Sequence, residues 1–290
     1  MLRNFMSWTL STTAVFAAGF TFVLSHRCVA AETKRPIDGI MDNSFLVEEA
    51  YNQEPGVVQH IFTAFYDVTR RRGPDDRNWN TAFTQEWPVF SQTHQFSYTV
   101  PYSFLDTGGN HENGIGDVLL NYRWQALFRE DTLTALAPRL SLVLPTGNEH
   151  RGLGEGSVGF QWNLPFSTAI GDNWFVHLNA GGTFLPDPAS TGGRSVYHHN
   201  LGASLIYAIN LEWHLMLESV GVWEEGLNSR GNRDYESSVL VAPGLRRAFN
   251  FDNGAQLVLG ASAPFGVGGH APDYGVFLYV SFEHFFSRQK

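Results

Sequence analysis

The sequence predicts an all-β protein: a closed, antiparallel, up-and-down transmembrane β-barrel of about twelve strands. Three observations predict it. Apolar residues alternate with small or polar ones in run after run of about ten to fourteen residues, the length that crosses a bilayer at a tilt. The connections between runs alternate in length, as a meander requires. Aromatic residues gather near the ends of the runs on the apolar parity, where interfacial girdles sit: Phe104, Trp124, Phe128, Trp174, Phe184, Tyr197, Tyr207 and Trp213.

Near the start, Arg3 precedes an apolar, Ser/Thr-dotted run over residues 5–25, followed by "HRCVAAE". Val29 and Ala31 fit a small-residue cleavage site, so residues 1–31 read as a secretory signal peptide cut after Ala30 or Ala31. Cys28, the one cysteine, falls inside it, and the mature chain then has no thiol or disulfide chemistry. Residues 32–55 show no lasting periodicity and read as a periplasmic segment, with a short helix over "SFLVEEAY" capped by Asn43 or Ser44. Residues 56–290 form the barrel.

From Val57 the strands follow in order. Runs 57–67 and 79–88 carry the weakest alternation of the first half. In 115–128, Val118, Leu120, Tyr122, Trp124, Ala126 and Phe128 oppose Asp117, Asn121, Arg123 and Gln125. In 157–166, Val158, Phe160, Trp162, Leu164 and Phe166 oppose Ser157, Gly159, Gln161 and Asn163, and Trp174, Val176 and Leu178 resume after Gly171-Asp172-Asn173. In 197–209, Leu201, Ala203, Leu205, Tyr207 and Ile209 oppose His198, Asn200, Gly202 and Ser204; in 211–218, Leu211, Trp213, Leu215 and Leu217 oppose Glu212, His214, Met216 and Glu218. Run 235–248 is weak, 255–263 is clear, and "YGVFLYVSFEHFF" closes the chain with Val276, Leu278, Val280 and Phe282 on one face. Short turns are expected near 129–131, 171–173, 210 and 250–253, and long loops near 69–78, 105–114, 145–156, 186–195, 225–234 and 266–273.

A soluble sandwich would turn the apolar parity inward and a membrane barrel outward. Strand length, the small and polar character of the other parity, and the girdles favour the barrel. Prolines oppose it: Pro101, Pro138, Pro165 and Pro243 each forfeit a ladder bond. Pro101 and Pro165 fall on the wet parity, and Pro138 and Pro243 on the oily parity, where they mark bulges. A net charge of −9 with a single short basic run, Arg70-Arg71-Arg72, argues against nucleic acid.

Several stretches carry a resemblance: "DNSFLVEEAYNQEPGVVQHI" (42–61), "YSFLD" (102–106), "GIGDVLLNYRWQ" (114–125), "APRLSLVLPTGNEHRGLGEGSVGFQWNLPFS" (137–167) and the last strand. They resemble bacterial outer-membrane proteins grouped as the "MetA-pathway of phenol degradation" family. The resemblance implies a β-barrel transporter in the outer membrane of a Gram-negative bacterium, inserted by the barrel-assembly machinery, and aromatic or other hydrophobic solutes. Many outer-membrane barrels end on an aromatic residue; here Phe285-Phe286 precede Ser287-Arg288-Gln289-Lys290, which points to an internal assembly signal.

Lumen candidates are Arg123, Arg139, Asn121, Gln125, Gln161, Asn163, Glu212 and Glu218. Folding back about the turn at 129–131 sets Arg139 opposite Asn121 and Arg123 opposite Ala137, so the two arginines neighbour each other at mid-height. Two readings follow: opposed Arg and Glu walls make a selectivity constriction, or the charges pair and fill the lumen. His177, His198 and His214 sit at different heights and do not meet on one metal ion. The loop "LPTGNEHRGLGEG" has neither a nucleophile elbow nor a phosphate-binding pattern and reads as a flexible tip, and "DTGGNHENG" lacks EF-hand spacing for Ca²⁺. Oily-face His199 and Ser219 have no catalytic partner. The expected function is passive or facilitated passage of a small solute through a narrow polar lumen, the barrel sitting in outer-membrane lipid, with no cofactor, no metal and no catalytic residue. The alternatives are an outer-membrane lipid hydrolase and a closed structural or adhesive barrel.

Overall fold

In the computed structural model, residues 39–40, 43–228 and 230–286 are described. The expected signal peptide, residues 1–31, and residues 287–290 lie outside them. Sixteen strands form one antiparallel sheet: β1 (Val57–Thr69), β2 (Asp76–Val89), β3 (Ser91–Thr107), β4 (Asn110–Ile115), β5 (Val118–Trp124), β6 (Leu127–Arg129), β7 (Thr134–Leu136), β8 (Arg139–Leu144), β9 (Gly159–Ile170), β10 (Trp174–Leu185), β11 (Val196–Ala208), β12 (Trp213–Leu227), β13 (Arg233–Asn250), β14 (Gln256–Ser262), β15 (Phe265–Gly269) and β16 (Tyr274–Phe285). Three staves are interrupted, β4-β5-β6, β7-β8 and β14-β15, so the sheet has twelve staves. Each pairs with the next in sequence, and β1 pairs with β16 to close the barrel.

The apolar parity faces out. Phe160, Trp162, Leu164, Leu201, Leu205, Leu215, Leu217, Val276, Leu278 and Phe282 are all exposed on the outer surface. Their strand neighbours Asn163, Asn179, Ser204, Glu218 and Ser281 are buried inside. A closed wall leaves no unpaired strand edge in lipid, and the outward face is the one a bilayer would cover. Of the expected girdle, Phe128 is the exception. A bulge between β5 and β6 turns its ring inward, edge-on to Tyr51 with centroids 6.1 Å apart.

The prolines explain the interruptions. Each accepts one bond across the sheet through its carbonyl, from Gly116 N to Pro101 (2.9 Å), Trp124 N to Pro138 (3.0 Å), Ala137 N to Pro165 (3.1 Å) and Ala263 N to Pro243 (3.0 Å). None can return it, because proline has no N–H. The facing stave is therefore broken at 116–117, 125–126, 137–138 and 263–264. Opposite Pro101 the pairing steps from Tyr102–Ile115 to Thr99–Leu119, so two residues stand against three. Pro138 sits at a similar bulge. Pro243 does not: its pairing with Leu217 keeps register, and only the next stave is interrupted.

The loops differ from expectation at 105–114. There β3 and β4 continue as a hairpin joined by Gly108-Gly109, whose φ values of 60° and 88° suit a tight two-residue turn. The loop 145–158 is folded in rather than a free tip. Asp117 accepts from the backbone N–H of Gly147 (2.9 Å) and Glu155 (2.7 Å), and a side chain at Gly147 or Gly154 would collide with Leu153 or Asp117. This accounts physically for the glycines of "LPTG…GLG".

Candidate functional site: a lumen occupied by the chain's own N-terminal segment

An eight-stranded barrel is filled by its own side chains, whereas sixteen strands leave a channel. Twelve lie between, and here the remaining space is taken by main chain. Residues 43–53 form no helix and do not lie outside the barrel, where the sequence places them; they run through its interior. Residues 44–47 and 49–53 are buried apart from half-buried Leu46. The helix fails because the lumen wall supplies the backbone bonds instead.

Wall side chains bond the segment's peptide groups directly. Glu218 takes the N–H groups of Phe45, Leu46 and Val47 on its two carboxylate oxygens, at 3.1–3.2 Å. Asn179 accepts from Glu48 N and donates to Glu48 O, both at 2.7 Å. Gln125 donates to Ala50 O at 2.8 Å and accepts from Asn52 N at 3.3 Å. Ser167 accepts from Ala50 N (2.8 Å) and is itself bonded to His177 Nδ1 (2.7 Å). Gln95 accepts from Gln53 N at 2.7 Å.

The charges converge on Glu48. Arg139 Nε lies 2.9 Å and Arg123 Nη1 3.3 Å from its carboxylate, and Asn163 donates to it at 2.7 Å. Glu48 belongs to the internal segment, not to a membrane-spanning strand. Burial pushes its carboxyl up, but the Arg139 and Arg123 guanidinium groups outweigh this and hold it below the usual carboxylate range. Arg123 also donates to Glu49 O, Tyr51 O and Asn52 Oδ1 at 2.7–3.1 Å.

Phe45 anchors the other end. Its ring lies against Phe277 and Tyr279, with centroids 5.7 and 5.5 Å away. It fits only because Gly244 and Gly260 lack a Cβ: one at Gly244 would come within 2.7 Å of the ring. Ile61, Ile206, Met216, Leu240 and Val258 extend this apolar sector. The inner wall therefore carries an apolar patch around Phe45 among its amide and charged groups, whereas alternation alone suggested a uniformly wet face.

Seven of the eight lumen candidates face inward. Arg123, Gln125, Arg139, Asn163 and Glu218 bond the segment. Asn121 accepts from Arg139 Nη1 (3.1 Å) and Gln161 donates to Thr183 (3.0 Å). Glu212 does not face the lumen. It lies exposed in the turn before β12, 3.6 Å from Arg247, because the strand begins only at Trp213. The register also differs: Arg123 pairs directly with Arg139, and Asn121 with Ser141, because the turn is longer and a bulge intervenes. His198 accepts from Glu225 N, and His214 from Arg246, so the three histidines serve separate local bonds. Among the described residues no three His, Cys, Asp or Glu groups converge on a metal position.

Above residues 43–48, toward the long loops, lies a cavity of about 190 Å³. Thr63, Thr84, Thr99, Gln161, Thr183 and Asn200 line it, with Val220 and Val222. The segment is its floor. Both ends of the segment leave at the same rim: Gly39 O accepts from Gln256 (3.2 Å), and Val57 starts β1 at the short-turn end.

No family model matches the chain, and no curated protein matches it in sequence. The fold is similar to that of an outer membrane channel from Pseudomonas putida F1, at a TM-score of 0.61 and 15% identity, over 82% of this chain and 98% of that one. That likeness shows a shared barrel fold. A mutant porin of Rhodopseudomonas blastica aligns over 79% of this chain and 99% of that one, at 11% identity and a TM-score of only 0.24, too low to carry any argument.

Proposed function

We propose that this protein is an outer-membrane channel for small solutes whose conductance depends on whether residues 43–53 occupy its lumen. The carrying observation is that one segment, entering and leaving at one rim, fills an otherwise polar barrel through bonds to its peptide groups. Such a loop can withdraw toward the short-turn side without breaking a strand pair. In the outer-membrane setting that side is the periplasm, with the long loops outside. The resemblance to the "MetA-pathway of phenol degradation" family and the fold shared with the Pseudomonas putida channel support this reading. Aromatic or otherwise hydrophobic solutes are the class the resemblance suggests.

The hydrolase alternative finds little support. Ser167 and His177 are hydrogen-bonded, but both are buried behind the segment, and the Ser167 hydroxyl is already engaged by Ala50.

The test compares the full mature chain with a variant lacking residues 43–53, in planar bilayers and in liposome swelling with phenols and sugars. The deletion is expected to raise unit conductance and to speed swelling. A folded deletion variant that conducts no solute and no ions would leave the closed structural barrel instead.

A further inference from the structure

A second feature lies on the outer wall, where the first strand meets the last. His60 on β1 and His284 on β16 stand diagonally across the closing seam, since His60 pairs with Phe282 and Val58 with His284. Their Nε2 atoms are 3.2 Å apart, with ring planes inclined by only 18°. His284 Nδ1 lies 3.0 Å from Phe285 O. A carbonyl can only accept, so Nδ1 carries the proton and Nε2 presents its lone pair toward His60. This is the second-shell arrangement that fixes a metal-ligating imidazole. Phe83 stacks on His60 at 6.0 Å and Phe282 flanks His284 at 5.4 Å, which limits how far either ring swings.

We propose that His60 and His284 form a two-histidine site for a late first-row divalent ion such as Zn²⁺ or Cu²⁺, bridging the barrel seam at the short-turn rim. Two imidazole nitrogens, each bonded at about 2.0–2.1 Å to an ion and separated as here, subtend an angle of roughly 100°, close to tetrahedral. The ion sits off the line between the nitrogens, reached by a small turn of each ring, and water fills its remaining positions. Without an ion the pair shares a proton as an N–H···N bond. The ion ties β1 to β16, the only pairing that joins the two ends of the barrel.

The experiment uses the full mature barrel without a polyhistidine tag. Cu²⁺ is followed by electron paramagnetic resonance, and Zn²⁺ by calorimetry. One equivalent bound with two-nitrogen hyperfine structure is expected, with affinity falling about tenfold or more in His60→Gln and in His284→Gln. A control, His94→Gln, changes a half-buried histidine elsewhere on the wall and should bind as wild type. Wild-type Cu²⁺ spectra lacking the two-nitrogen signature would overturn the proposal whether or not the variants fold. So would equal Zn²⁺ affinity in wild type and the folded double variant.

Discussion

Glu48→Gln should loosen the segment without disturbing the barrel. The carboxylate is held by Arg139, Arg123 and Asn163. Removing one partner of a buried ion pair costs about 3–5 kcal/mol, because the other charge stays buried. Arg123 keeps the carbonyls of Glu49 and Tyr51 and lies 3.7 Å from Glu86, and glutamine keeps the side chain's shape. The lower end, about 3 kcal/mol, therefore applies, which raises the undocked fraction roughly hundredfold at 1.4 kcal/mol per decade. Hydrogen exchange reads that fraction directly, since the amides of Phe45, Leu46, Val47, Glu48, Ala50, Asn52 and Gln53 all donate to wall side chains. Their protection should fall about hundredfold while β12 and β13 stay unchanged. Unaltered protection over residues 45–53 would refute the reasoning, and so would an equal loss in the strands.

Three further outcomes are expected. Gly260→Val should expel Phe45, whose Cζ lies within 2.5 Å of where a Cβ would stand; the lost burial of about 1.5–3 kcal/mol should appear as a larger open fraction in bilayer recordings, and unchanged recordings would count against the anchor. Leu201→Arg, on the outer wall, should cost about 2–4 kcal/mol near the bilayer midplane in urea titrations of vesicle-inserted protein, against almost nothing for Phe90→Arg at a fully exposed turn; equal costs would contradict the outward orientation. Because the Glu48 carboxyl is depressed, its contribution is complete above the ordinary carboxylate pKa and is lost as pH falls through the lower docked value. Acidification well below pH 4, about the ordinary carboxylate value, should therefore raise exchange over 45–53 in wild type but add little in Glu48→Gln.

The barrel was legible because its two faces meet unlike solvents: Trp162 against Asn163, or Leu217 against Glu218, fixes orientation at every step. Inward Arg123, Arg139 and Glu218 were legible for the same reason. What they bind was not. Residues 43–53 have no period of their own, because their partners are side chains scattered around the wall, from β1 and β3 to β13 and β16, and no local pattern encodes that. One trace did exist: Glu48 and Glu49 directly precede a barrel whose lumen carries two neighbouring arginines. Ser167, Asn179, Gly244 and Gly260 were missed because small and amide residues are expected on any wet face. The proline breaks were half legible, since sequence marks a missing N–H but not which neighbouring stave gives way.

The most direct test locks the segment in place. A Cβ at Gly202 would stand 3.1 Å from Val47 Cγ2, near the spacing a disulfide needs, and the sequence has no cysteine after Cys28. In Val47→Cys/Gly202→Cys protein, oxidised bilayer recordings should show only the smallest conductance, and adding reductant should restore the wild-type level. Equal conductance before and after reduction, with the disulfide verified, would contradict a lumen governed by its own N-terminal segment.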